Sequence, residues 1–225
     1  MSHFTRLLHL ADSALPTGSF AYSAGLESSI SLGLVRDDAG LRNYLYAYLQ
    51  QAGSLELPFL NSCFALGETW RTELLEIAAN YDAQLLVPAL RRASATQGRT
   101  WLKLLHSLYP KAGLDEVGKW FAAHELPPHL TLIFALSLQR AGFALSELQA
   151  LYLHLLLRDQ LSAAIRLGQL GPLEGHRLQH DFYAVFEPIL AAHAAKTYQQ
   201  ASRSAFLLEA AQMLHADMYS RLFQT

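Results

Sequence analysis

Apolar residues return with a helical period through nearly all of this chain, and that feature excludes most folds. Between positions 37 and 52, Leu41, Tyr44, Leu45, Tyr48, Leu49 and Ala52 fall at i, i+3, i+4, i+7, i+8 and i+11, one stripe of a helix. Asp37 and Asp38 stand where a carboxylate caps the first free amides, and Gly53 reads as a stop. A second helix is expected from near Pro58 through Phe64 to Trp70. A third carries Leu85, Leu86, Leu90, Trp101, Leu105 and Leu108, with Pro88 in its first turn, where a missing N–H costs little. Pro127-Pro128 opens another, which Gly142 closes. Ser146-Glu-Leu-Gln149 reads as a capping box that starts a long helix, with Gln149 reaching back to the Ser146 backbone. Helix resumes near Glu174, is interrupted or kinked at Pro188, and returns from about Gln199 to Met218. No segment alternates Val, Ile and Thr with polar residues, as a half-buried strand does. No linker or internal repeat divides the chain. The expectation is one all-α globular domain of about nine or ten helices over residues 1–225.

Composition narrows the function. An apolar fraction of 52% and a charged fraction of 16% exclude intrinsic disorder. So few charges suggest that a partner covers part of the surface. Seventeen basic against nineteen acidic residues give a net charge of −2, which argues against a general nucleic-acid binder. The single cysteine, Cys63, excludes an intramolecular disulfide and a Cys-based zinc motif, and reads as a small buried hydrophobe in a reducing compartment. Asp12 breaks the first apolar run, so no signal peptide is read, and no apolar run reaches the roughly 18 residues of a membrane span. A cytoplasmic protein with no membrane partner is expected.

Three motifs touch on chemistry. Gly113-Leu-Asp-Glu-Val-Gly118-Lys119-Trp120 fits a phosphate loop until the last position, where Trp120 stands for the hydroxyl that magnesium needs. No strand precedes it, so it reads as a loop and an exposed helical turn. His176 and His180 lie four apart on one helix face, with Asp181 beside them as an oxygen donor. Arg177 stands where a zinc protease has glutamate, so these are weak metal candidates, and a solvated polar face is the alternative. A metal-dependent helical hydrolase using His176, His180 and Asp181 is the competing function.

The two ends of the chain are more distinctive. From Ala14 to Glu27, Pro16 and Gly18 set a tight turn, Ser19 is an N-cap candidate, and Phe20, Tyr22, Ser23 and Glu27 occupy the helix start. Phe20 and Tyr22 are candidates for core or for display, and Glu27 for a solvated position. The last residues, near 216–225, include Tyr219, Arg221, Leu222 and Phe223. Their aromatic and Arg content suits a docking segment or one that packs back on its own domain.

These segments resemble the urease accessory protein UreF family. Leu7-Leu8 to Glu27 is similar to the family's L-L-x-L-x-x-x-x-L-P-x-G-x-F-x-Y-S-x-G-L-E, and Tyr219 to Phe223 to its Y-S-R-L-F. Between them, Leu90 to Arg99 resembles the R-x-A-S-x-Q-x-G-R stretch, and Ser162 to Leu167 the S-A-A-V-[RK]-L segment. Where many members continue L-G-Q-x-x-G-Q, this chain has Gly171-Pro172 and Gly175-His176, keeping the glycines and losing the glutamines. The resemblance implies a non-enzymatic all-helical homodimer without a resident cofactor. Its implied partners are UreH/UreD, the GTPase UreG and apo-urease, and nickel passes through the complex transiently. It places partner contacts at Tyr22, Ser23, Glu27, Arg166, Tyr219, Arg221, Leu222 and Phe223. Of these, Tyr22, Glu27 and Arg221 belong to the GTPase side or its support, Arg166 influences the GTPase, and the tail is ordered by UreH/UreD.

Overall fold

The computed structural model describes residues 3–215 and 221–224. Within them lie eleven α-helices and no strand: α1 (His3–Ala11), α2 (Leu26–Ser31), α3 (Asp38–Gln51), α4 (Leu57–Phe64), α5 (Trp70–Gln84), α6 (Pro88–Leu108), α7 (Leu114–Ala123), α8 (Leu130–Arg140), α9 (Leu145–Arg166), α10 (Pro172–His193) and α11 (Phe206–Leu214). A π-helical turn, Ala52–Glu56, joins α3 to α4 without a break, which leaves ten separate rods among the described residues. None of these helices is long and apolar enough to cross a membrane.

The rods are ordered by how much of each is apolar. In α8, every residue from Thr131 to Leu138 is buried, as expected of a helix that is apolar all round. It runs between α6 and α4. Its polar members are satisfied internally: the Trp101 indole N–H donates to Ser137 Oγ at 3.0 Å, and Ser137 Oγ donates to the Phe134 carbonyl at 3.1 Å. The long α9 packs on α10, α1, α3 and α4, with Leu148, Leu153, Leu157 and Ala164 buried. Gly98 lets α6 press against the loop before α8, because a Cβ there would sit 1.8 Å from the Pro128 carbonyl oxygen.

Several boundaries differ from the sequence reading. Gly53 does not stop α3; it sits in the π-helical turn, where a Cβ would meet Ile189 Cγ2 at 2.5 Å. The stretch read as one helix to Trp70 ends at Phe64, and α5 starts at Trp70. Leu85 and Leu86 lie in the connection before α6, not within it. The capping box at Ser146 does not form. The cap falls two residues earlier, at Ala144, whose amide Glu147 accepts at 2.8 Å, and Gln149 turns inward to donate to Asn61 Oδ1 and the Ala194 carbonyl. Pro188 does not interrupt α10. The last helix shrinks to a 3-10 turn at Tyr198–Gln200 and to α11; Met218 lies outside the described residues.

A buried polar cluster sets the acid stability. His129, at the head of α8, places Nε2 at 2.9 Å from Asp82, which Arg91 also grips at 2.5 Å. Burial holds the His129, His154 and His193 imidazoles below the ordinary range. Each folded-state value is lowered, so below about pH 6.5 the unfolded chain binds more protons and stability is lost on acidification. Asp82, lowered chiefly by its bond from Arg91, extends this loss toward more acidic pH. Glu56, raised by burial, works in the opposite sense and offsets part of it above the ordinary carboxylate range. The urea midpoint is therefore expected to be lower at about pH 5.5 than at about pH 7.5, with a smaller gap in His129→Gln.

Candidate functional site

The Ala14–Glu27 stretch folds as a rigid turn on the side of α9. Gly18 takes a left-handed conformation (φ 79°), a 3-10 turn follows at Ser19–Ala21, and Gly25 is left-handed again (φ 98°) before α2 begins. Ser19 does not cap a helix; Gly18 occupies that place. At Gly25 a Cβ would lie 2.4 Å from Gln212 Cγ, so only glycine lets α11 close on the turn.

Glu27 is not solvated. It is 7% exposed, and its carboxylate is the junction of the site. Oε1 accepts the Leu222 amide at 2.5 Å, while Oε2 accepts the Phe223 amide at 3.1 Å and lies 3.0 Å from His215 Nε2. One residue on, the Gln224 amide donates to the Ala21 carbonyl at 2.9 Å. The described end of the chain is thus held on the N-terminal turn through the backbone. Charge-assisted bonds of this kind are roughly twice as strong as neutral ones.

Arg166, near the end of α9, completes the junction. Its guanidinium carbon lies 3.6 Å from the Phe20 ring centre and 4.2 Å from that of Phe223, and Nη1 donates to the Phe20 carbonyl at 2.5 Å. Two aromatic faces around one guanidinium form a cation–π sandwich that fixes both rings. Phe223 is buried, while Phe20 is 65% and Leu222 55% exposed, and Arg221 is exposed beside them. Tyr22 is half-buried, and Ser23 is buried, with its hydroxyl accepting the Glu27 amide.

The structure therefore brings Glu27, Leu222 and Phe223 from the two ends of the chain together with Arg166 of α9, leaves Arg221 exposed beside them, buries Ser23 under Glu27, and turns Tyr22 toward the cavity beneath the turn. Tyr219 lies outside the described residues. Phe20, left open between core and display, is on display. His215 joins through Glu27 across 188 positions, a link with no local sequence signal.

The other motifs stay apart from this face. His176, His180 and Asp181 are exposed on α10, and Asp181 lies 3.6 Å from Arg42. Among the described residues, no group of three or more His, Cys, Asp or Glu is placed to hold a metal ion. In the segment resembling a phosphate loop, Lys119 pairs with Asp115 at 3.3 Å, and Trp120 is buried with its indole N–H on the Arg71 carbonyl. Cys63 is buried, and burial pushes its thiol up, so it behaves as a hydrophobe.

The sequence model of UreF matches residues 35–183. The chain belongs to the UreF family. Relatives extend the likeness to both ends. Urease accessory protein F of Oryza sativa is 33% identical over 218 residues, covering 96% of this chain and 83% of its own. Its Arabidopsis thaliana counterpart is 32% identical over 225 residues, covering 95% and 89%. Urease accessory protein UreF of Arthrobacter sp. (strain FB24) is 32% identical over 232 residues, covering 100% and 98%. In this UreF chain the segment after α9 that lacks the glutamines is closed by local contacts. Glu174 accepts the Gly171 amide at 2.9 Å, and a Cβ on Gly175 would meet Ile165 Cδ1 at 2.8 Å. Packing thus explains Gly175, while nothing in the structure explains why Gly171 is a glycine.

Proposed function

We propose that this chain is a non-catalytic adaptor in urease maturation. It dimerises, joins UreH/UreD, and positions the GTPase UreG so that nickel, the cargo, reaches apo-urease in the cytoplasm. The observation that carries this reading is the composite face built by Glu27 and Arg166. It displays Phe20, Arg221 and Leu222 on a frame fixed by buried bonds, the arrangement of an interface anchor. The Glu27–His215 pair beneath it is buried, and its carboxylate is taken up by the Leu222 and Phe223 amides, which suits a structural role. Arg166 is occupied by Phe20 and Phe223, so its role here is to hold the face in shape; the charge it lends toward a bound GTPase is secondary.

Gel filtration with light scattering tests this. The chain mixed with its cognate UreH/UreD, then with UreG and a GTP analogue, is expected to give one shared peak containing two copies of each. Tyr22→Ala and Arg221→Ala are each expected to weaken that assembly at least about tenfold with the helical content unchanged. Wild-type affinity in both variants would remove these residues from the interface. Separate peaks from well-folded proteins would overturn the adaptor reading. The hydrolase reading is not favoured, since its three residues are solvated on α10 and one of them is engaged by Arg42.

A further inference from the structure

A partly open cavity of about 180 Å³ lies between α3, α5, α6, α8, α9 and α11, beneath the Thr17–Ala24 turn. Much of its wall is aliphatic, from residues such as Leu55, Leu90, Leu155 and Leu156, and Trp101, Phe134, Tyr81 and Tyr152 add aromatic surface. Its charged lining holds three carboxylates, Glu56, Asp159 and Glu209, against two arginines, Arg158 and Arg203.

The strongest acceptor is Glu56, which the π-helical turn directs inward. Its Oε2 accepts the Tyr152 hydroxyl at 2.6 Å, and a chain of hydroxyls continues through Thr131 to Tyr81, each step 2.7 Å. The arginines on the cavity wall are already taken. Arg158 pairs with Asp159 and Arg203 with Glu209, each at 2.7 Å. Those two carboxylates line the cavity as well, so Glu56 alone is left without a cation among the described residues.

Two glutamines add to the imbalance. Gln160 Nε2 donates to the Ser23 carbonyl at 3.0 Å, and Gln212 Nε2 donates to the Ala24 carbonyl at 2.7 Å. These bonds fix the amide orientations, because a flip would set oxygen against oxygen. Oε1 of each is consequently buried with no hydrogen-bond partner, although the Tyr48 hydroxyl lies beside Gln160. A buried acceptor left unmatched costs about 1–3 kcal/mol.

We propose that this cavity binds a small alkylammonium ion, with its N–H donors toward Glu56 and the glutamine oxygens and its alkyl part against the leucines. An ammonium group carries donors and no acceptor, and it supplies the charge that Glu56 lacks. The aromatic faces favour a cation, and the volume is close to that of cavities of about 150 Å³ that hold benzene. A divalent metal fits less well, since among the described residues no group of three or more His, Cys, Asp or Glu is placed to hold one. An anion is opposed by Glu56. Because both glutamines are tied to Ser23 and Ala24, occupancy reaches the turn that carries Tyr22.

Thermal melts of the full chain provide the test. n-Butylammonium chloride is compared with sodium chloride at equal ionic strength, with 1-butanol, and with nickel chloride. A saturable rise of about 2–4 °C with butylammonium alone is expected, and in Glu56→Gln the apparent affinity is expected to fall at least about tenfold. An equal rise with butanol would mean an apolar pocket and overturn the proposal. A rise with nickel but not butylammonium would do the same, as would no rise at all, which would leave water as the occupant. Retained affinity in a folded Glu56→Gln variant also overturns it. Should that variant fail to fold, the contrast among the four solutes on the wild-type chain decides alone.

Discussion

Gly98→Ala is expected to destabilise this chain by about 3 kcal/mol or more, one of the two largest single-residue effects expected here. The added methyl would stand 1.8 Å from the Pro128 carbonyl oxygen and 2.9 Å from both the His129 carbonyl carbon and the Leu130 amide nitrogen. All three are backbone atoms, so no rotamer change relieves the contact. Helix α6 must move off the head of α8, and that movement opens the cluster in which His129 meets Asp82. For a chain of this length the melting temperature should fall by about 6–12 °C. Gly67→Ala supplies the comparison, since nothing lies within 4 Å of a methyl there, and a change within about 0.5 kcal/mol is expected. Equal melting temperatures for the two variants would show that α6 and α8 are not held at the distance described.

The second large effect is expected at Glu27. In Glu27→Ala, the Leu222 and Phe223 amides lose a shared ionised acceptor, and hydrogen bonds to charged groups contribute about 1.5–3 kcal/mol each. The end of the chain can escape into water, where those amides find new partners, so the expected loss of global stability is only about 2–3 kcal/mol. The local effect is larger. Hydrogen exchange at Leu222 and Phe223 should rise toward the rate of an unstructured peptide, Phe223 should leave the Arg166 sandwich, and assembly with UreH/UreD should fail. Glu27→Gln keeps the shape but removes the charge, and intermediate exchange is expected. Unchanged protection in Glu27→Ala would mean that other contacts hold this segment.

Much of the fold was legible because apolar spacing is a local property. The stripe from Leu41 to Ala52 and the all-apolar run of α8 need no distant information. A proline marked one start correctly, Pro88 at the head of α6, whereas α10 opens at Pro172, two residues before the resumption expected near Glu174. The misread boundaries share a cause, since tertiary contacts overrode a local preference. Gly53 reads as a stop by its backbone freedom, yet Ile189 and His193 fill the space a side chain would need. Helix α5 went unread between the helices expected to end at Trp70 and to begin at Leu85, although Trp70, Leu74, Ile77, Ala78 and Tyr81 repeat at helical spacing. The candidate site was legible only through resemblance. Glu27 meets Leu222 across 195 positions and Gln160 meets Ser23 across 137, and neither pairing leaves a spacing rule in the sequence.

The π-helical turn between α3 and α4 has a bearing on tolerated insertions and deletions. Such a turn holds one residue more than an α-helical turn spanning the same bonds. Deleting one residue from Ala52–Glu56 would let the backbone close into a regular helix, so hydrogen bonding alone would not forbid it. The angular sums nearly agree: four α-helical residues advance about 400°, and five residues at the wider π pitch, roughly 82° each, about 410°. Leu57 and Leu60 would keep nearly their present neighbours, and the change would fall inside the turn, where Glu56 meets Tyr152. The turn thus works as a buffer: it takes up one residue without handing any rotation to the rod beyond it.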